Sequence, residues 1–476
     1  MQYSASVRSL TIAISLFLGL TSCNLIPRKI NLTQPPFNCP PSSTAAPASN
    51  LPLDNVPLDI EIHVDGSGSM LGYVPENPVE QETVYTDTLE TLHEVLTAAS
   101  RKDSSTLQYF RTGLNRKTRL STEKFNFNDR TPGRLNPITK DFYTDNLTSQ
   151  LQAAITSPEN DRNKLLVLIS DLDQDSGAIN YVTKAIQERF FNQQTQQNTP
   201  YGIALLGTRS EFDGTVFSTD PSKINNFSYK SSRESATYRP FYLLWVGPVA
   251  ELNQYLPKLV EKMEQKGGTT EVSLFSPEDL KTELRLNPQQ IPVDLPSSLS
   301  IRTLKKGQVV LIQEQAPAHL FSLPPRQAEA IKVSYELTPF REASPYSLKP
   351  GKIEAQAQSW DFSSTSEPLE RSSQEALAEM ELTDFDFQTQ SLNFALSFHP
   401  EKIESSSLYV YRFDLMAKGL TSPEWWTDWD WDSRENSKDG SKTYQLSRFT
   451  DSLATITLEA MGQDKTIGTV CFAVQK

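Results

Sequence analysis

The run Lys164 to Ser170, KLLVLIS, restricts the fold more than any other feature of the chain. Its aliphatic centre shows no polar alternation, so as a strand it has to be covered on both faces, which is the position of a strand inside a sheet flanked by helices. The neighbouring segments fit that position. Leu58 to Val64 (LDIEIHV) reads as a strand, and Val79 to Ala99 as a helix whose Tyr85, Leu89, Leu92, Leu96 and Ala99 recur at helical spacing. Leu107 to Arg111 reads as a strand and Asn146 to Ile155 as a helix. After Lys164 to Ser170 come helix Ile179 to Asn192, strand Tyr201 to Leu206, an insertion, strand Phe241 to Val246, helix Val249 to Gln265 and strand Glu271 to Phe275. Strands separated by helices predict right-handed crossovers and an α/β fold with a doubly wound, mostly parallel sheet. Ligands of such sheets bind at the carboxyl ends of the strands.

Beyond a helix start at Ser276-Pro277-Glu278-Asp279 the pattern changes. Strands are expected at Gln308 to Gln313, Ala330 to Leu337, Ser391 to Phe398, Ser407 to Leu415, Thr455 to Ala460 and Ile467 to Ala473, which predicts an antiparallel sandwich or two small β units. Four of the six tryptophans, Trp425, Trp426, Trp429 and Trp431, fall in one acidic stretch. A strand there would put Trp429 and Trp431 on one face, either capping a sandwich core or forming an exposed aromatic platform for a glycan or protein. The expected division is a signal segment at 1–22, a tether at 23–55, an α/β domain at 56–285 and a β-rich domain at 286–476.

Composition removes several function classes. A 476-residue chain with 45 basic and 58 acidic side chains has a net charge of −13 and no basic block, so nucleic acid is a poor partner. Its three cysteines and four histidines form neither a CxxC pair nor an HExxH helix, so any metal is expected to be a hard, oxygen-bound one. The apolar run Leu10 to Leu20 is too short to span a bilayer and reads as a signal-peptide core. It ends in Leu20-Thr21-Ser22-Cys23, which resembles the bacterial lipobox. That resemblance implies lipidation of Cys23, removal of residues 1–22, and a membrane-anchored, extracytoplasmic location in the cell envelope. The Pro- and Ser-rich stretch from Asn24 to about Asn55 reads as an extended tether. Cys39 and Cys471 are left either to pair with each other or to stand alone, Cys471 as a buried thiol.

The first strand runs into Asp65-Gly66-Ser67-Gly68-Ser69-Met70, and the aliphatic strand into Ser170-Asp171-Leu172-Asp173. D-x-S-x-S after an apolar strand, with an acidic residue at the tip of a later buried strand, resembles the von Willebrand factor type A domain and its metal-ion-dependent adhesion site. The resemblance covers Leu58 to Phe275. It implies that Ser67 and Ser69 bind a divalent ion directly and that Asp65 and Asp171 act largely through water. A threonine completes the family's set; Thr144 is the choice here, with Asp145 and Thr139 as alternatives. Hydroxyls two residues apart on a tight loop beside a carboxylate suit Mg²⁺ or Mn²⁺, and the glycines are expected to let that loop curl. The implied role is non-enzymatic capture of a protein partner that presents an acidic residue.

Asp171 and Asp173 imitate the D-x-D of haloacid dehalogenase phosphotransferases, but Asp175 stands where that family has Thr or Val. The EF-hand pattern fails at Ser176 and Val182. Asp173 and Asp175 are expected in a solvated loop or at a helix start. No GxSxG elbow exists, Ser121-x-x-Lys124 lacks its companion motifs, and His63 is expected to be a satisfied core or surface histidine. A metal-dependent hydrolase or phosphatase and a metal-free envelope scaffold remain as alternatives.

Overall fold

The computed structural model describes residue 39 and residues 57–476 apart from 77–80, 101–104, 116–121, 130, 132, 156–162, 174–175, 193–198, 218–225, 281–283, 287–299, 304–318, 324–330, 340–343, 363–367, 388–390, 405–407, 432–438 and 463–464. The signal segment, Cys23, most of the tether, Ser121, Asp175 and the strand expected at Gln308 to Gln313 lie outside the described residues.

Two sheets organise the chain. The first is built from β1 (Leu58–Asp65), β2 (Thr106–Thr112), β3 (Thr122–Phe125), β4 (Asn163–Ser170), β5 (Tyr201–Ser210), β6 (Arg239–Pro248) and β7 (Thr270–Phe275), in the order β7-β5-β6-β4-β1-β2-β3. β4 lies inside it and every one of its residues is buried, as its apolar run requires. Leu165, Val167 and Ile169 face one core, Leu166 and Leu168 the other. The first core is covered by α1 (Val84–Ser100) and α3 (Val249–Gln265); α2 (Ser176–Ile186), continued by a π turn over Gln187–Phe191, covers the second.

The sheet is mixed. β1 runs parallel to β2 and β4, but β6 is antiparallel to both β4 and β5, and β7 is antiparallel to β5. The expected parallel relation of the Tyr201 and Phe241 strands therefore fails. Among the described residues between them, 211–217 and 226–238, there is no crossover helix but a small hairpin of Asp213–Val216 with Phe227–Lys230. The helix expected over Asn146 to Ile155 is instead a two-residue ladder at Leu147–Thr148 followed by a 3-10 turn at Leu151–Ala154.

The β-rich part forms a ten-stranded sheet whose central strands are Leu408–Leu420 and Thr466–Gln475. Its core is aromatic, with Phe321, Tyr335, Phe394, Phe398, Phe413 and Phe472. Most neighbouring strands are antiparallel, although Thr466–Gln475 pairs in parallel with His319–Ser322. A disulfide joins Cys39 to Cys471 on that strand, so the pairing left open by the sequence is made, across 432 residues. Both cysteines sit in a small core with Leu320, Trp360, Phe362, Val410 and Ala473.

The strand expected at Thr455 to Ala460 is the end of a helix, Leu446–Ala460. Its β-branched Thr455-Ile456-Thr457 favours a strand locally, but Leu446, Phe449, Leu453 and Ile456 lie on one helical face and pack on the second core of the first sheet. The tryptophans do likewise. Trp425 and Trp426 lie on a short helix, Glu424–Asp428, and together with Trp429 join that core, so they neither cap a sandwich nor form an exposed platform. The Trp426 indole N–H donates to Ser273 Oγ at 3.1 Å and its ring stacks on Phe275. The short Trp helix and most of helix Leu446–Ala460 thus complete a layer over the first sheet, and Leu458 near the end of that helix returns to the β-rich core. Among the described residues no helix is long and apolar enough to cross a membrane.

Candidate metal centre

Parallel pairing of β1 with β4 places their carboxyl ends side by side, bringing Asp65 next to Ser170 and Asp171. Asp65 is 1% exposed and fully engaged: Oδ1 accepts the Ser67 amide at 3.0 Å, and Oδ2 accepts the hydroxyls of Ser149 at 2.8 Å and Ser170 at 3.0 Å. Burial pushes its carboxyl above the ordinary range, and the charge of Asp171 pushes it further.

The loop after β1 holds Ser67 and Ser69 with their hydroxyls 3.1 Å apart. Thr144 is drawn to the same place: it forms a parallel bridge with Ser67, and its amide donates to the Gly66 carbonyl at 3.0 Å. Asp145 comes close as well, because a Cβ on Gly68 would collide with its carboxylate. A Cβ on Gly66 would come within 2.6 Å of Arg111. Neither glycine has a positive φ, so both are needed for close approach rather than for curling the loop. Thr139 lies apart from them, at the N-cap of a 3-10 turn over Lys140–Phe142, with its hydroxyl donating to the Asn136 carbonyl at 2.9 Å.

At the end of β4, Leu172 takes a left-handed φ of 52° while its side chain stays buried. Such a backbone is rare for leucine and marks a site constrained by its surroundings. The turn sends both Asp171 and Asp173 inward to Arg239, whose Nη2 lies 3.3 Å from Asp171 Oδ2 and 3.0 Å from Asp173 Oδ2. Asp173 is 8% exposed, which corrects the expectation of a solvated loop. It is pushed up to about 7 by burial, with Arg239 opposing and Asp171 adding to the shift. Burial alone would lower Arg239, but the Tyr73 oxygen and both carboxylates hold it above its ordinary value. The sequence gives no sign of Arg239 as a partner, since it is the first residue of β6 and reaches this end of the sheet only because β6 runs antiparallel to β4. Ser149 escapes sequence reading for a similar reason, lying in an irregular segment beyond the short ladder.

His63 is a satisfied core residue, 4% exposed, with Nδ1 3.0 Å from Thr112 Oγ1 and its ring stacked on Phe110.

The donor set fits a hard divalent ion in two respects. Neighbouring oxygens around an octahedral Mg²⁺ with bonds of ~2.0–2.1 Å lie about 2.9 Å apart, close to the separation of the Ser67 and Ser69 hydroxyls. One guanidinium also faces two buried carboxylates, and Asp173 Oδ1 is buried without a hydrogen-bond partner. Among the described residues no group of three or more His, Cys, Asp or Glu side chains that could hold a metal ion is found.

Compared with known proteins, the chain matches no protein-family model and no curated sequence.

Proposed function

We propose that the protein is a lipid-anchored, extracytoplasmic lipoprotein of the bacterial envelope that captures a protein partner through a divalent cation. In this reading the first sheet is a variant of the doubly wound von Willebrand type A fold. Ser67, Ser69 and Thr144 would hold Mg²⁺ or Mn²⁺ directly, with Asp65 and Asp171 behind them through water, and the bound ion would supply a Lewis-acidic position for an acidic side chain of the partner. The residues' own part is to orient: Ser149 and Ser170 fix the Asp65 carboxylate, while Asp65 fixes the Ser67 amide. The observation that carries the reading is the meeting of the two serine hydroxyls on a loop whose Ser67 is bridged to the Thr144 backbone and held by the buried Asp65 carboxylate. An aspartate nucleophile at Asp171 or Asp173 has less support, because both carboxylates are buried on Arg239.

The test is a double variant, Ser67→Ala with Ser69→Ala, compared with wild type for Mg²⁺-dependent thermal stabilisation and for partner recovery from membrane extracts in Mg²⁺ or EDTA. A ligand at a hundredfold excess over its dissociation constant stabilises by about 2.7 kcal/mol. That gain is expected in wild type and not in the variant. Equal melting of wild type with and without Mg²⁺ or Mn²⁺, together with EDTA-insensitive capture, would sink the proposal.

A further inference from the structure

The second nitrogen of Arg239 points away from the carboxylates. Its Nη1 donates to the carbonyls of Gly440 and Lys442, each at 3.2 Å. The residue is 1% exposed, with its guanidinium 5.4 Å from the centre of the Phe212 ring. The segment it holds, residues 439–445, is fastened to the same strand ends at further points. The Tyr242 hydroxyl donates to Thr443 Oγ1 at 3.1 Å, and Thr443 Oγ1 reaches the Asp171 carbonyl at 3.5 Å. This strap continues directly into helix Leu446–Ala460, which covers the first sheet, and then into Thr466–Gln475, the strand that carries Cys471. One buried side chain therefore joins the strand-end loops to the chain that leads into the β-rich sheet.

We propose that Arg239 is a positioning residue that couples cation binding at the strand ends to release of the 439–445 strap. The inference rests on the metal reading given above. A divalent cation beside Asp171 repels the guanidinium and competes with it for the carboxylate. Weakening the Asp171 pair leaves the guanidinium fixed to the strand ends by Asp173 alone, so the strap that it holds through Gly440 and Lys442 loosens from them. Coupling of this kind is reciprocal: whatever loosens the strap raises the affinity for the ion by the same factor.

Gly440→Ala supplies such a perturbation away from the metal residues, because its Cβ would meet the Tyr229 ring at 2.2 Å and has to push the strap aside. Thr443→Val, which removes the hydroxyl shared with Tyr242, is a second variant of the same type. On the full chain, with circular dichroism to verify folding, Mg²⁺ affinity is measured by calorimetry and amide exchange of peptides covering 439–445 by mass spectrometry, with and without MgCl₂. The expected result is faster exchange of 439–445 in wild type on adding Mg²⁺, and Mg²⁺ binding at least about fivefold tighter in Gly440→Ala or Thr443→Val. Mg²⁺ binding with unchanged exchange and unchanged affinity in the folded variants overturns the coupling and leaves the metal reading intact. No Mg²⁺ binding by wild type overturns the metal reading, and the coupling with it.

Discussion

Removing the Cys39–Cys471 bridge should destabilise the β-rich sheet by about 3–5 kcal/mol. The bridge closes a loop of 432 residues, and in the chain-entropy treatment a closed loop of that length restricts the unfolded state by about 6 kcal/mol at 25 °C. Residual structure in the unfolded chain reduces this, and measured disulfides reach at most about 5 kcal/mol. The Cys39→Ala, Cys471→Ala double variant also loses two buried side chains from the small core around Trp360 and Val410. For a cooperative unit of roughly 150–250 residues each kcal/mol moves the melting temperature by about 2–4 °C, so a drop near 10 °C is expected by calorimetry. Wild type in reductant should follow the variant. A non-reducing peptide map that finds residues 39 and 471 unlinked would refute the reasoning at its premise, and a variant melting within about 1 °C of wild type would refute the magnitude.

Three further outcomes are expected. Trp426→Ala should cost about 3–5 kcal/mol by opening a cavity between the short Trp helix and β7, and stopped denaturant titrations should show the loss in the first sheet; a change below about 1 kcal/mol would mean that residues 424–460 are not integral to that core. Arg239→Met should destabilise by about 3–5 kcal/mol, because it leaves two buried carboxylates without their cation, and adding Asp171→Asn with Asp173→Asn should recover much of it; no recovery in the triple variant would show that the arginine acts mainly by packing. Glu61 is held down to about 2, since burial, which would raise it, is outweighed by hydrogen bonds from His63 and Lys164 and by their charges. Its contribution is present above pH ~4.5 and is lost as the pH falls toward ~2; with the group only partly buried this amounts to about 1 kcal/mol, and Glu61→Gln should show a correspondingly flatter acid limb in melting experiments.

Local information went far where a segment's own pattern was decisive. The unbroken apolar run of β4 could only be an internal strand, the spacing of α3 reproduced its limits at Val249 and Gln265, and the Asp65-Gly66-Ser67-Gly68-Ser69 loop was legible because it follows directly from a strand end. Strand direction was different. Whether Arg239–Pro248 enters the sheet parallel or antiparallel depends on the path of residues 211–238, and reversing it exchanges the residue at the site from the strand's last to its first. That is why Asp171 was visible in the sequence and its partner Arg239 was not. Thr455 to Ala460 and the tryptophans depart from their local preference for the same kind of reason: β-branched and aromatic residues favour strands on average, but here the apolar face of the first sheet has room for a helix, and burying it outweighs that preference. The two cysteines gave only the option of a bond, since spacing along a chain carries no information about distance across 432 residues; packing of Cys39 on the outer face of the β-rich sheet decided it.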